Sequence, residues 1–203
     1  ICHNWGCIPT KAMLRSAEVY HLAERAKEFG LSAQKVSFDL SKIVARSRKI
    51  SGQLNQGVGY LLKKNKVTVF SGEAKLLESS IIGIKIDGEF KKITGKNIIL
   101  ATGARARELP GMEADGKLVW TYKHALTPSK MPKNLLVMGS GAIGVEFASF
   151  YNTLGANTTI VEVLDRILPV EDEEISSFAA EHFTKQGMTI KTGTKVQKLD
   201  RKR

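Results

Sequence analysis

The chain has 203 residues, 42% of them apolar, with 31 lysines and arginines against 20 aspartates and glutamates and a net charge of +11. That length supports one large domain or two small ones with an ordinary core, while no run approaches the roughly eighteen unbroken apolar residues of a membrane span. The basic residues are scattered among acidic ones without a nucleic-acid-binding motif, and neither membrane nor nucleic acid is expected as a partner. Two cysteines do not make a secreted disulfide framework, and His3, His21, His124 and His182 have no metal-ligand spacing, so no metal site is expected.

In chain order, residues 9–29 predict a helix: Ala12, Leu14, Ala17, Val19, Leu22 and Ala26 alternate with charged residues, and Gly30 follows as a stop. A second helix, strongly polar on one side, is expected over 39–64. The period then changes. VTVFSGEA (67–74), IIGIKID (81–87) and KNIILAT (96–102) are short, β-branched and punctuated by small polar residues, which predicts strands. From Arg105 to Pro132 prolines and glycines break the pattern, and a domain boundary is expected there. NLLVMGSGAIG, VEFASFYNTLG and NTTIVEV then read as strand, glycine turn, helix and strand, a βαβ unit of a parallel sheet. A helix over 172–186 and a strand at MTIKTG complete the pattern. No repeats or low-complexity segments occur.

Gly139, Gly141 and Gly144 form G-x-G-x-x-G between that strand and helix. The first glycine permits the tight turn, the second lets the backbone approach a pyrophosphate, and the third lets helix pack on strand. Unpaired N–H groups at the helix start then meet the phosphates. Glu162, at the end of the next strand, is placed to accept from ribose hydroxyls and to repel the extra phosphate of NADP, which predicts NAD. Arg166 lies close enough in sequence to count against that preference.

Both cysteines fall in the opening ICHNWGCIPTK. On a regular helix, residues five apart are separated by about 7.5 Å along the axis and about 140° around it. That is too far for a disulfide. A Cys2–Cys7 bond therefore requires a distorted turn. Gly6 supplies the backbone freedom, and Pro9 lacks the N–H that would bond the Trp5 carbonyl. The spacing is equally compatible with two independent thiols.

Taken together, the motifs resemble the flavin-dependent disulfide oxidoreductases. C-H-N-W-G-C-I-P-T-K is similar to the redox-disulfide motif C-x-N-x-G-C-x-P-x-K of that family, ILATGA (99–104) to its second flavin-contacting segment, and GSGAIGVEFA with IVEVLDRILP to its NAD-binding half. The I-P-T-K ending, Trp5 and D-R-I-L-P (165–169) most resemble members that act on dihydrolipoyl groups. The likeness covers nearly the whole chain. It implies an α/β fold of Rossmann-like FAD- and NAD-binding domains, three-layer ββα type with a parallel sheet. Residues 1–108 would be a partial FAD-binding domain lacking its first βαβ unit, and 109–203 an NAD-binding domain, with the C-terminal dimerisation domain absent. The chain is accordingly expected to be an inactive piece of a longer homodimeric enzyme.

The resemblance also implies roles. Cys2 would exchange with the substrate, Cys7 would make the charge-transfer contact with the flavin, and Lys11 would lie near the flavin, paired with Glu146. Ala101, Thr102 and Gly103 would contact FAD. Ala142 and Ile143 would join the glycines and Glu162 at NAD. The expected partner is a lipoyl-bearing protein of 2-oxo-acid dehydrogenase or glycine-cleavage assemblies, in the bacterial cytoplasm or the mitochondrial matrix. Basic patches would help dock acidic segments of such an assembly. Another disulfide or metal-ion reductase, or a dinucleotide-binding module without thiol turnover, is the alternative. His3 departs from the family pattern, which has an apolar or small residue there, and none of the four histidines matches the family's general base.

Overall fold

The computed structural model describes residues 1–201. It divides into two compact units, one made of residues 1–53 and 106–203 and the other of residues 54–105.

The first unit opens with a single helical turn, α1 (Cys2–Trp5), and continues after Gly6 into α2 (Cys7–Glu24). A 3₁₀ turn (Ala26–Phe29) follows and ends at Gly30, which takes the left-handed conformation at φ 71°. Glycine is favoured there because a Cβ would crowd the backbone. Helix α3 (Leu40–Lys64) begins in this unit. After 105 the chain forms a short helix α4 (Tyr122–Leu126), strand β4 (Asn134–Met138), helix α5 (Ala142–Thr153), strand β5 (Asn157–Val161), helix α6 (Glu173–Lys185) and strand β6 (Thr189–Lys191). The expectation of a wholly irregular stretch from 105 to 132 missed α4. Its sequence is short and bracketed by breakers, and Thr121 and His124 close a capping box around its first turn.

Strands β4, β5 and β6 form a parallel sheet in that order. Helix α5 is apolar on two sides. Val145 and Ala148 pack with Ile160 and Met188 toward the sheet, while Phe147, Phe150 and Tyr151 join Met13 and Ala17 of α2 and Ala125 and Leu126 of α4 in a second cluster. This double packing brings the N-terminal part of α2 against the helix that follows the glycine turn.

The second unit holds an antiparallel sheet of β1 (Glu73–Glu78), β2 (Ile81–Ile86) and β3 (Glu89–Thr94). Asp87 (φ 47°) and Gly88 (φ 90°) make the two-residue turn between β2 and β3, the backbone that a tight hairpin demands. The strand expected over 67–74 is present only from Glu73 onward, and the one expected over 96–102 does not form. A strand is completed by a neighbour's hydrogen bonds, and among the described residues none pairs with Val67 to Phe70 or Ile98 to Ala101. Ile99 and Leu100 stand 90% and 72% exposed. No helix among the described residues is long and apolar enough to cross a membrane.

Candidate functional site

The cysteines occupy a break between helices. Gly6, at φ −149° and ψ −122°, separates α1 from α2, so Cys2 and Cys7 lie on different helical segments. A Cβ on residue 6 would come within 3.1 Å of the Ile1 side chain and 3.3 Å of the Cys2 Cα, so only glycine fits without a shift. Helix α2 is secured on its own: the Thr10 N–H and hydroxyl both donate to the Gly6 carbonyl, at 3.1 and 2.8 Å. Cys2 and Cys7 are both exposed, with free thiols. A hydrogen bond with Cys7, with lesser effects of desolvation and of the Cys7 charge, raises the Cys2 thiol above its ordinary 9.0. His3 is exposed beside them.

One turn beyond Cys7, the Lys11 ammonium donates to Oε1 of Glu146 on α5, an ion pair between residues 135 apart in sequence. Lys11 is 63% exposed, whereas Glu146 is 24% exposed. The Glu146 bond raises the Lys11 amine above 10.5, and the negative charge available on Cys7 and Cys2 adds to that effect. A fixed cation thus stands near the thiols at neutral pH.

Glu146 lies in the second turn of the helix that the glycine motif opens. Gly139 sits at φ +97°, and open space surrounds the positions a Cβ would take on Gly139 and Gly141. On Gly144 it would lie 2.1 Å from the Gly139 carbonyl oxygen, so that glycine is fixed by the turn itself. Ala142 and Ile143 are exposed on the first turn of α5, whose leading N–H groups have no helical partner. These features form a cradle suited to the phosphates of a dinucleotide. Glu162 is buried beneath it. Its Oε2 accepts from the Ser140 N–H (2.9 Å) and hydroxyl (2.7 Å), and its Oε1 from the Leu164 N–H (3.0 Å). Burial by itself would raise this carboxyl. The bonds from Leu164 and Ser140 outweigh it and hold the group below its ordinary 4.5. Arg166 donates to the Pro169 carbonyl at 3.5 Å.

Ala101, Thr102 and Gly103 belong to the second unit, where all three are exposed and Gly103 has φ +81°. No cluster of metal-binding side chains occurs among the described residues. Ser140, which ties Glu162 to the turn, carries no signal in the sequence because it fills a variable position of the motif.

The thiol pair on a broken helix, the Lys11–Glu146 ion pair and the glycine turn that opens α5 are thus carried by two helices, α2 and α5, that pack on one another. The pyridine nucleotide-disulphide oxidoreductase model matches residues 1–203, and the chain belongs to that family. It is 54% identical over 200 residues to a dihydrolipoyl dehydrogenase of Zymomonas mobilis, an alignment covering 98% of this chain and 43% of that protein. A dihydrolipoyl dehydrogenase of Bacillus subtilis is 40% identical, with 96% and 43% covered. Among solved structures, LpdA of Mycobacterium tuberculosis superposes with a TM-score of 0.90 at 25% identity, over 100% of this chain and 45% of that one. The HOCl-induced flavoprotein disulfide reductase RclA of Escherichia coli gives 0.78 at 27%, over 97% and 41%. The chain thus spans less than half the length of the relatives it matches. The Rossmann-like fold expected from the sequence is the fold observed.

Proposed function

We propose that the complete protein carrying this chain is a dihydrolipoamide dehydrogenase, oxidising dihydrolipoamide to lipoamide and reducing NAD⁺ to NADH. The observation that carries this reading is the packing, within one unit, of the Cys2–Cys7 segment, the Lys11–Glu146 pair and the glycine turn. The names of the relatives from Zymomonas and Bacillus support the substrate class.

In the thiol half-reaction, one thiolate of dihydrolipoamide attacks Sγ of Cys2 in the oxidised pair and releases Cys7. The second substrate thiolate then attacks the mixed disulfide and frees Cys2. One S–S bond forms as another breaks, and the two protons of the substrate thiols pass to solvent or to the protein's thiols. Lys11, held charged by Glu146, stands one turn beyond Cys7 as the cation of the pair. A bound FAD would supply the two-electron redox chemistry that links the thiol pair with NAD⁺. Lys11, Ala101, Thr102 and Gly103 would hold the flavin. Gly139, Gly141, Ala142 and Gly144 would seat the phosphates of NAD, Glu162 would meet its ribose, and Ile143 would lie near the nicotinamide side of the flavin ring. The division into a flavin lobe (1–108) and an NAD lobe (109–203), the homodimer, the lipoyl-bearing partner of a 2-oxo-acid dehydrogenase assembly and the cytoplasmic or matrix location belong to the same reading.

The test is NADH formation by the FAD-loaded, full-length protein with dihydrolipoamide as donor. Rapid turnover is expected, abolished by Cys2→Ser while NADH binding persists. A flavin-loaded protein that NADH reduces, but that dihydrolipoamide does not, overturns the substrate assignment in favour of another disulfide or a metal ion, the reading suggested by the similarity to the RclA structure.

A further inference from the structure

Three consecutive residues of α3 reach the cysteine segment. The Arg46 guanidinium donates to the Ala12 carbonyl at 2.8 Å, and the buried Ser47 hydroxyl donates to the Pro9 carbonyl at 3.1 Å, both bracing α2. Arg48 does something different: Nη1 donates to the Asn4 carbonyl and Nη2 to the Asn4 side-chain Oδ1, a fork closed on one residue of α1. The same guanidinium lies 4.2 Å from the centroid of the Trp5 ring, a cation–π contact that Lys123 shares at 5.8 Å.

The two cysteines are therefore anchored unequally. Cys7 begins an 18-residue helix whose next turns bury Pro9, Thr10, Ala12 and Met13. Cys2 sits on four residues with no buried member and no side-chain cap, tied internally by two bonds to the Ile1 carbonyl. Trp5 packs against the first apolar cluster, and the Arg48 fork ties Asn4 to α3.

We propose that Arg48 is a positioning residue of the thiol pair: by clamping Asn4 and Trp5 it keeps Cys2 beside Cys7 in the dithiol state and so stabilises the disulfide formed from it. The proposal rests on the reading of Cys2 and Cys7 as a redox couple. A loosened α1 lowers the effective concentration of Cys2 at Cys7, which weakens the disulfide and makes the pair a stronger oxidant. Lysine is no substitute, since it carries the charge but lacks the planar fork.

The experiment equilibrates the full-length, FAD-loaded protein with oxidised and reduced dithiothreitol, quenches with an alkylating reagent and reads the modification of Cys2 and Cys7 by mass. In the exchange, the protein's S–S bond breaks as the cyclic disulfide of dithiothreitol forms, two hydrogens moving from reagent to protein. Arg48→Met and Arg48→Lys are both expected to lower the constant for disulfide formation about tenfold, equivalent to a rise in potential of about 30 mV for a two-electron couple. Asn4→Ala, which removes only the Oδ1 arm, shifts it the same way by less and serves if the arginine variants do not fold. Unchanged constants in the folded variants, or an Arg48→Lys protein that behaves as wild type, overturn the proposal. A wild-type protein that forms no Cys2–Cys7 bond at any reagent ratio overturns the redox reading itself, and the role of Arg48 with it.

Discussion

Glu162 shows how one residue serves two demands. Under the proposed function its carboxylate would accept from ribose hydroxyls, a role charge strengthens, yet the side chain is buried, which opposes charge. The donors on Ser140 and Leu164 resolve the conflict and at the same time lock the glycine turn to the end of β5. Because the folded-state carboxyl lies below 4.5, its contribution to stability is complete above that pH and is lost as the pH falls through the folded value. Glu162→Gln replaces one acceptor oxygen with a donor that faces an N–H. It is expected to cost about 1 to 3 kcal/mol at neutral pH and to flatten the acid-side fall in stability. Denaturant midpoints taken from pH 7 downward check this, and parallel curves for the two proteins contradict it. Lys11 and Glu146 make the complementary case: the pairing is visible only through the family resemblance, because nothing in the spacing of residues 135 apart brings a lysine to a glutamate.

Helix α5 organises the first unit, with one face on the parallel sheet and the other on α2 and α4. Its Tyr151 is fully buried, with its ring 4.9 Å from that of Phe150 in an edge-to-face contact, and its hydroxyl donates to the Ala125 carbonyl of α4 at 2.7 Å. Burial pushes the phenol upward, so it remains a donor throughout the working range of pH. Tyr151→Phe leaves the Ala125 carbonyl without that partner and is expected to cost about 1 to 2 kcal/mol. Faster amide exchange should then be confined largely to α4; uniform loss of protection would place the bond's effect elsewhere. The elements legible in the sequence were those whose signals are local: the apolar spacing of α2 and the glycine turn opening α5; the cap of α6, where the Asp172 side chain accepts from the Glu174 N–H at 2.9 Å, emerged with the structure. Residues 67–72 and 96–102 have the composition of strands, but their pairing depends on neighbours that composition does not contain. The Arg48–Asn4 fork was equally hidden, since an arginine on a polar helix face reads as solvated.

At the scale of the whole molecule, the first unit holds the thiol pair, the Lys11–Glu146 ion pair and the glycine turn, assembled from segments at both ends of the chain. The second unit contributes the exposed Ala101–Gly103 segment and an antiparallel sheet. The chain spans less than half the length of the relatives it matches. The central claim is that Cys2 and Cys7 form a disulfide that exchanges electrons with the nucleotide. Its most direct test is alkylation of the full-length, FAD-loaded protein before and after anaerobic addition of NADH, read by mass at the two cysteines. The account predicts that neither takes up reagent before NADH and both do afterward; uptake at both cysteines without NADH, or at neither after it, contradicts the claim.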